Sequence, residues 1–149
     1  MVSKFKEQRF TAKKKADKRI ENTRNEKTVE GELPKVVFSF KDFDRMQIPP
    51  GQTYEDWQAK GYLAYLLEKL GHISELNIIE AQQQKYITTY ETFPKLSDFK
   101  HPSHIAQDVN WAVIKKIKGQ KGRVAGHIIG NVFYIVFLDL EHKLWKMDR

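Results

Sequence analysis

The stretch from Arg123 to Leu138 constrains the fold more than any other part of the chain. Two largely apolar runs, Arg123–Ile129 and Val132–Leu138, flank the dipeptide Gly130-Asn131. A two-residue turn opening on glycine matches the right-handed twist of the strands on either side, so the segment reads as a β-hairpin. Val132–Leu138 is apolar on both of its alternating faces, which predicts an interior strand with neighbours on each side. Upstream, Trp111–Lys118 alternates and Gly119–Gly122 turns, adding a third antiparallel strand. A short fourth is expected to include Lys143–Lys146.

The preceding half punctuates differently. Val36-Val37-Phe38-Ser39-Phe40 reads as a strand and Pro49-Pro50-Gly51 as a turn. Thr53-Tyr54-Glu55-Asp56 resembles a capping box, in which a hydroxyl and an acidic side chain satisfy early amides of a helix. Trp57, Leu63, Leu66, Leu67 and Leu70 recur at helical spacing, with Gly71 as the stop. A second helix is predicted over Glu75–Gln84, capped by Ser74 and stapled by Ile73 and Ile78. Lys85–Thr92 is ambiguous between loop and short strand, and Phe93–Pro102 reads as loop. The fold class that follows is α+β: one strand, two helices, then an antiparallel C-terminal meander of three to four strands.

Charge divides the chain. The 149 residues are a usual length for one domain and carry a formal net charge of +7. Residues 1–27 hold ten Lys/Arg and four acids, so +6 of that charge sits on this segment. Large apolar residues are sparse over 1–33, and burying so few cannot offset about 1–2 kcal/mol of backbone entropy per ordered residue. A flexible basic arm over 1–33 is therefore expected before a single domain over 34–149. Lys13, Lys14, Lys15, Lys18 and Arg19 are its candidate phosphate contacts, since clustered cations release counterions from nucleic acid. An anionic protein partner and a merely solubilising tail are the competing readings.

Several classes are disfavoured. Without cysteine, disulfide scaffolds, thiol catalysis and cysteine-ligated zinc drop out, and a cytoplasmic location fits. The first 20 residues have no apolar central run, so a secretory signal is not expected. The longest apolar run, Val132–Leu138, is far short of a transmembrane helix, and the arm has few large apolar residues to insert at a membrane surface, so no membrane partner is expected.

Alternation places side chains on faces. A two-residue turn at 130–131 sets His127 opposite Tyr134, and a four-residue turn at 119–122 sets Lys118 opposite Arg123 and Ile114 opposite His127. One face then carries Trp111, Val113, Ile117, Val124, Ile128, Phe133, Ile135 and Phe137 as core. The other, open face carries Lys116, Lys118, Arg123, His127 and Tyr134. Arg123 and His127 would stand about 13 Å apart at ~3.3 Å per residue. Cleaving RNA needs a base, an acid and positive charge on the reacting phosphate. His127 and Tyr134 suit proton transfer; Arg123, Lys116, Lys118 and Lys121 suit phosphate. A hydrogen-bonded structural His–Tyr pair and edge-protecting lysines are the plainer alternative.

The order strand, two helices, meander resembles the RelE/ParE superfamily of small bacterial toxins over about residues 35–146. Gly122-Arg123-Val124-Ala125-Gly126-His127, Phe133–Asp139 and His142-Lys143-Leu144-Trp145 are also similar to the ends of uncharacterised bacterial and phage proteins. The toxin resemblance implies a metal-independent endoribonuclease with Arg123 stabilising phosphate. His127 or His142 would transfer protons and Tyr134 would orient or stack. RNA, favoured over DNA, the ribosome and an antitoxin protein are the implied partners, with no cofactor. A non-catalytic RNA- or DNA-binding protein, or a phage or mobile-element interaction factor, is the alternative.

Other constellations carry less. His101-Pro102-Ser103-His104 with Asp98 and Asp108 reads as a polar loop rather than a zinc site. Asp139 and His142 are expected to close a turn, with a catalytic dyad the lesser alternative, and His72 to meet the carbonyls ending its helix. Lys118–Gly122 lacks the spacing of a phosphate loop. Trp57, Trp111 and Trp145 read most simply as core or core-edge residues, with stacking on a base the alternative for Trp145.

Overall fold

The computed structural model describes residues 32–146. The basic arm, with Lys13, Lys14, Lys15, Lys18 and Arg19, lies outside the described residues. Val37–Ser39 forms β1 and Val132–Asp139 forms β5. The two run parallel, Val37 beside Val132 and Ser39 beside Tyr134. Past Tyr134, the loop over 42–52 takes over this edge of β5. Asp44 N–H donates to the Val136 carbonyl at 3.0 Å and Gln52 N–H to that of Leu138 at 3.2 Å. Buried Gln47 donates Nε2 to the Val136 carbonyl at 2.8 Å and accepts from Leu138 N–H at 3.2 Å. Backbone groups that a longer β1 would have paired are thus satisfied.

Three helices follow where two were expected. Thr53 caps α1 (Tyr54–Ala59) as its sequence indicates: Thr53 Oγ1 accepts from Asp56 N–H at 3.2 Å, and the Asp56 carboxylate accepts from Thr53 N–H at 3.0 Å. The apolar periodicity runs on, but the helix does not. Gly61, at φ +76°, turns the chain before α2 (Leu63–Ile73). Conversely, α2 passes through Gly71 because Leu66, Leu70 and Ile73 form one buried stripe. Ser74 Oγ donates back to the Leu70 and Gly71 carbonyls and so closes α2. Asn77 instead caps α3 (Ile78–Gln83), its Oδ1 accepting from Glu80 N–H at 2.9 Å.

The strands β2 (Ile87–Thr89), β3 (Asn110–Ile114) and β4 (Arg123–Ile129) complete a sheet in the order β1-β5-β4-β3-β2. β5 is interior, as its composition indicates, and β2 realises the strand option in Lys85–Thr92. Lys143–Lys146 forms no strand. His127 pairs with Tyr134 and Ile129 with Val132, matching the two-residue turn. The β3–β4 register differs from the expected one. Lys118 pairs with Lys121 across a tighter turn, and Lys116 sits at φ +58°. Ile114 therefore faces Val124 and Trp111 faces His127. The displacement is three residues, an odd number, so side chains of β3 exchange faces relative to β4.

A second irregularity lies between β4 and β5, where Ala125 pairs with Phe137 but Gly126 with Ile135. Val136 is the extra residue of this bulge. Both sheet faces are consequently buried, and the expected open face does not exist. On one side Trp57, Leu66, Leu70 and Ile73 from the helices cover Ile114, Val124, Phe133 and Ile135. On the other, Phe99, Ile105 and Leu144 from irregular segments cover Trp111, Val113, Ala125 and Phe137.

Candidate nucleic-acid interface

The structure separates the residues expected to share one basic face into three places. The first is interior. His127 is 3% exposed, and its Nε2 lies 2.8 Å from the Asp42 carboxylate. Its ring stacks on Tyr134 with centroids 4.8 Å apart and planes at 9°. Trp111 meets the imidazole edge-on at 6.4 Å. Asp42 also accepts from His104 through its backbone carbonyl, Nε2 to O 2.9 Å. His101 packs against Phe93 and Trp111, so the His101–His104 segment closes over this interior. The His127 Nδ1, His101 Nε2 and Trp111 Nε1 atoms are buried with no hydrogen-bond partner.

The second place is the far end of β4, where Arg123 pairs in register with Asp139. Asp139 is buried, and its two carboxylate oxygens accept from Lys143 N–H at 2.9 Å and Leu144 N–H at 3.0 Å. That fixes the turn holding His142, itself at φ +56°. Half-buried His142 titrates below the ordinary histidine range. Burial is the main cause, the Arg123 charge acts the same way, Asp139 opposes, and Lys115 adds a smaller push downward. Lys115 Nζ also stands 5.8 Å from the Tyr90 ring centroid. Arg123 and His142 are thus brought together, while His127 and Tyr134 stand four residues along the strand.

The third place lies on the helix side and takes two of the expected phosphate contacts. The left-handed turn at Lys116 aims the β3–β4 connection at α2. Lys118 Nζ rests 5.3 Å from the Tyr62 ring centroid and 5.1 Å from that of Tyr65. Lys69 Nζ lies 5.4 Å from the Tyr86 centroid, and Tyr86 Oη meets His72 Nε2 at 3.1 Å. His72 therefore turns to a tyrosine rather than to the carbonyls ending α2. Between these groups runs a groove of about 520 Å³, lined by Tyr65, Glu68, Lys69, His72, Tyr86, Lys116, Ile117 and Gly119. Lys121 is exposed at the neighbouring turn.

Part of this groove was legible. Tyr65, Lys69 and His72 follow the i, i+4, i+7 spacing of one helix face, beside the buried Leu66, Leu70 and Ile73 stripe. Tyr86, Lys116 and Lys118 join only through the fold.

Compared with protein-family models, curated proteins and solved structures, the chain matches none. Among the described residues, no helix is long and apolar enough to cross a membrane.

Proposed function

We propose that this protein is a cytoplasmic nucleic-acid-interacting protein that holds single-stranded RNA along the groove between α2 and the β3–β4 connection. One observation carries the reading: three lysine–tyrosine contacts, from Lys69 and Lys118, gather around a single groove. Tyrosine faces accept bases by stacking regardless of sequence, and ammonium groups follow the backbone. Each ammonium already above a ring can pass to a phosphate as a base takes its place. Lys116 lines the same groove and Lys121 stands at the neighbouring turn. The ten cations of residues 1–27 would add affinity without sequence preference.

The test is fluorescence anisotropy with a labelled oligouridine across a salt series. Three groove lysines imply a log–log slope of roughly −2, at about −0.7 per neutralised phosphate, in addition to any contribution from the arm. Tyr65→Ala and Lys118→Ala should each weaken binding, and Lys118→Ala should also flatten the slope by about 0.7. Affinity unchanged in both variants would remove the groove from the account. A DNA oligomer of the same length tests the preference for RNA.

A second reading, cleavage of the bound strand in the manner of a RelE/ParE-type toxin, is favoured by the grouping of Arg123, Lys115 and His142. An imidazole kept neutral can take the 2′-hydroxyl proton as the 2′-oxygen–phosphorus bond forms and the 5′-oxygen–phosphorus bond breaks. The leaving oxygen takes a proton from water, while Arg123 and Lys115 balance charge on the phosphate. Discrete cuts in RNA, with or without ribosomes, that vanish in Arg123→Ala and His142→Ala are the expected result. Intact RNA under both conditions leaves binding as the function.

A further inference from the structure

We propose that the cleft beside Trp145 is a nucleobase subsite that takes one single-ring base of a bound RNA strand and meets its phosphate with lysines at the rim. The proposal rests on the RNA-binding reading above. Pro94, Lys95, Leu96, Trp145 and Lys146 line an open cleft of about 150 Å³. A space of roughly that size takes up one six-membered ring, so the cleft matches uracil or cytosine more closely than the fused rings of a purine.

Its walls have the chemistry a base requires. Pro94, Leu96 and the Trp145 indole present apolar surface, and Leu96 is 55% exposed. Trp145 is held by Tyr90, their rings stacked with centroids 3.6 Å apart. Ordering cost is thus met before a ligand arrives, which favours stacking. The rim is cationic. Lys143 and Lys146 both reach the single carboxylate of Asp98, and Lys95 lines the cleft. Two lysines sharing one carboxylate, with Lys95 on the cleft wall, leave positive charge for a phosphate. Lys115, beside Tyr90, links the subsite to the end of β4, where both its charge and that of Arg123 act on His142.

The tryptophans make the test direct. Trp57 and Trp111 are fully buried, whereas Trp145 is half-buried. Titration of the full chain with UMP should quench tryptophan fluorescence saturably, AMP should quench less, and Trp145→Phe should abolish the UMP effect with its melting curve unchanged. Trp145→Leu should weaken oligouridine binding by about 5- to 150-fold, the usual range for losing one base stack. Tyr65→Ala, in the groove, should leave UMP quenching intact. If UMP gives no quenching while wild type and Trp145→Leu bind oligouridine equally, the subsite is overturned and the groove reading stands. Equal quenching by AMP and UMP overturns the single-ring assignment. Saturable UMP quenching without oligouridine binding sinks the groove and overturns the role in holding a strand, leaving a mononucleotide site.

Discussion

The two faces of the sheet are buried by different means. On the helix side, Leu66, Leu70 and Ile73 come at regular spacing and seal Ile114, Val124 and Phe133, with Asn110 Oδ1, on the same alternation of β3 as Ile114, buried there without a partner. On the other side, segments without regular secondary structure do the covering, and polar side chains are enclosed with them. His127 is buried against Asp42, and His101, Trp111 and His127 each keep a buried polar atom without a partner. An unpaired buried polar group costs about 1–3 kcal/mol. The difference teaches that regular elements fix a face by a periodic apolar stripe, whereas a loop cover admits polar chemistry into the interior.

The contrast can be broken at one atom. Gly126 lies at the bulge that joins the two faces, and a methyl group there would collide with the Tyr134 carbonyl oxygen and the Phe133 ring. Gly126→Ala is expected to cost more than about 4 kcal/mol in denaturant titration, loosening both cores together. A smaller loss would mean that the bulge can migrate.

Paired truncations sharpen the contrast. Ile73→Ala on the helix side should cost about 4 kcal/mol, because rigid neighbours leave the cavity open. Leu144→Ala on the loop side, equally buried, should cost about 2 kcal/mol as the irregular cover collapses onto the gap. Equal losses in urea unfolding would erase the distinction. A lesser change, Asn77→Ala, removes the cap of α3 and should cost about 1 kcal/mol, read as a lower melting temperature.

The smallest effect is a pH slope on the loop side. Because the folded pKa of His142 is depressed, the unfolded chain binds more protons around and below the ordinary value of about 6.5. Stability is therefore lost as pH falls through 6.5 toward the depressed value, and the loss is complete below it. Melting curves of His142→Gln should show a shallower decline over that window than wild type.

What was legible follows the same division. The Gly130-Asn131 turn, the His127–Tyr134 pair and the Thr53 cap depend on residues close in sequence, and all three form as read. The interior place of β5 was legible from its composition, but the bulge at Val136 was not, since every residue from Val132 to Leu138 except Tyr134 is aliphatic or Phe. No alternation remained to reveal a slipped register. The β3–β4 pairing shifted because Lys116 adopts φ +58°, a conformation a lysine does not advertise. The loop cover has no period, so a face destined for burial looked open. The Asp42–His127 contact spans 85 positions and leaves no local trace. The same holds for the groove, where α2 supplies a visible stripe and the fold alone adds Tyr86, Lys116 and Lys118.

The most direct measurement is the affinity of the full chain for oligouridine, compared with that of a double variant, Tyr65→Ala with Lys118→Ala, at matched salt. The groove accounts for binding if the double variant loses at least about tenfold, roughly one stacked base or 1.4 kcal/mol, while its melting curve stays that of wild type. Affinity retained within the error of the wild type, with folding intact, would contradict the claim that this groove is where the strand lies.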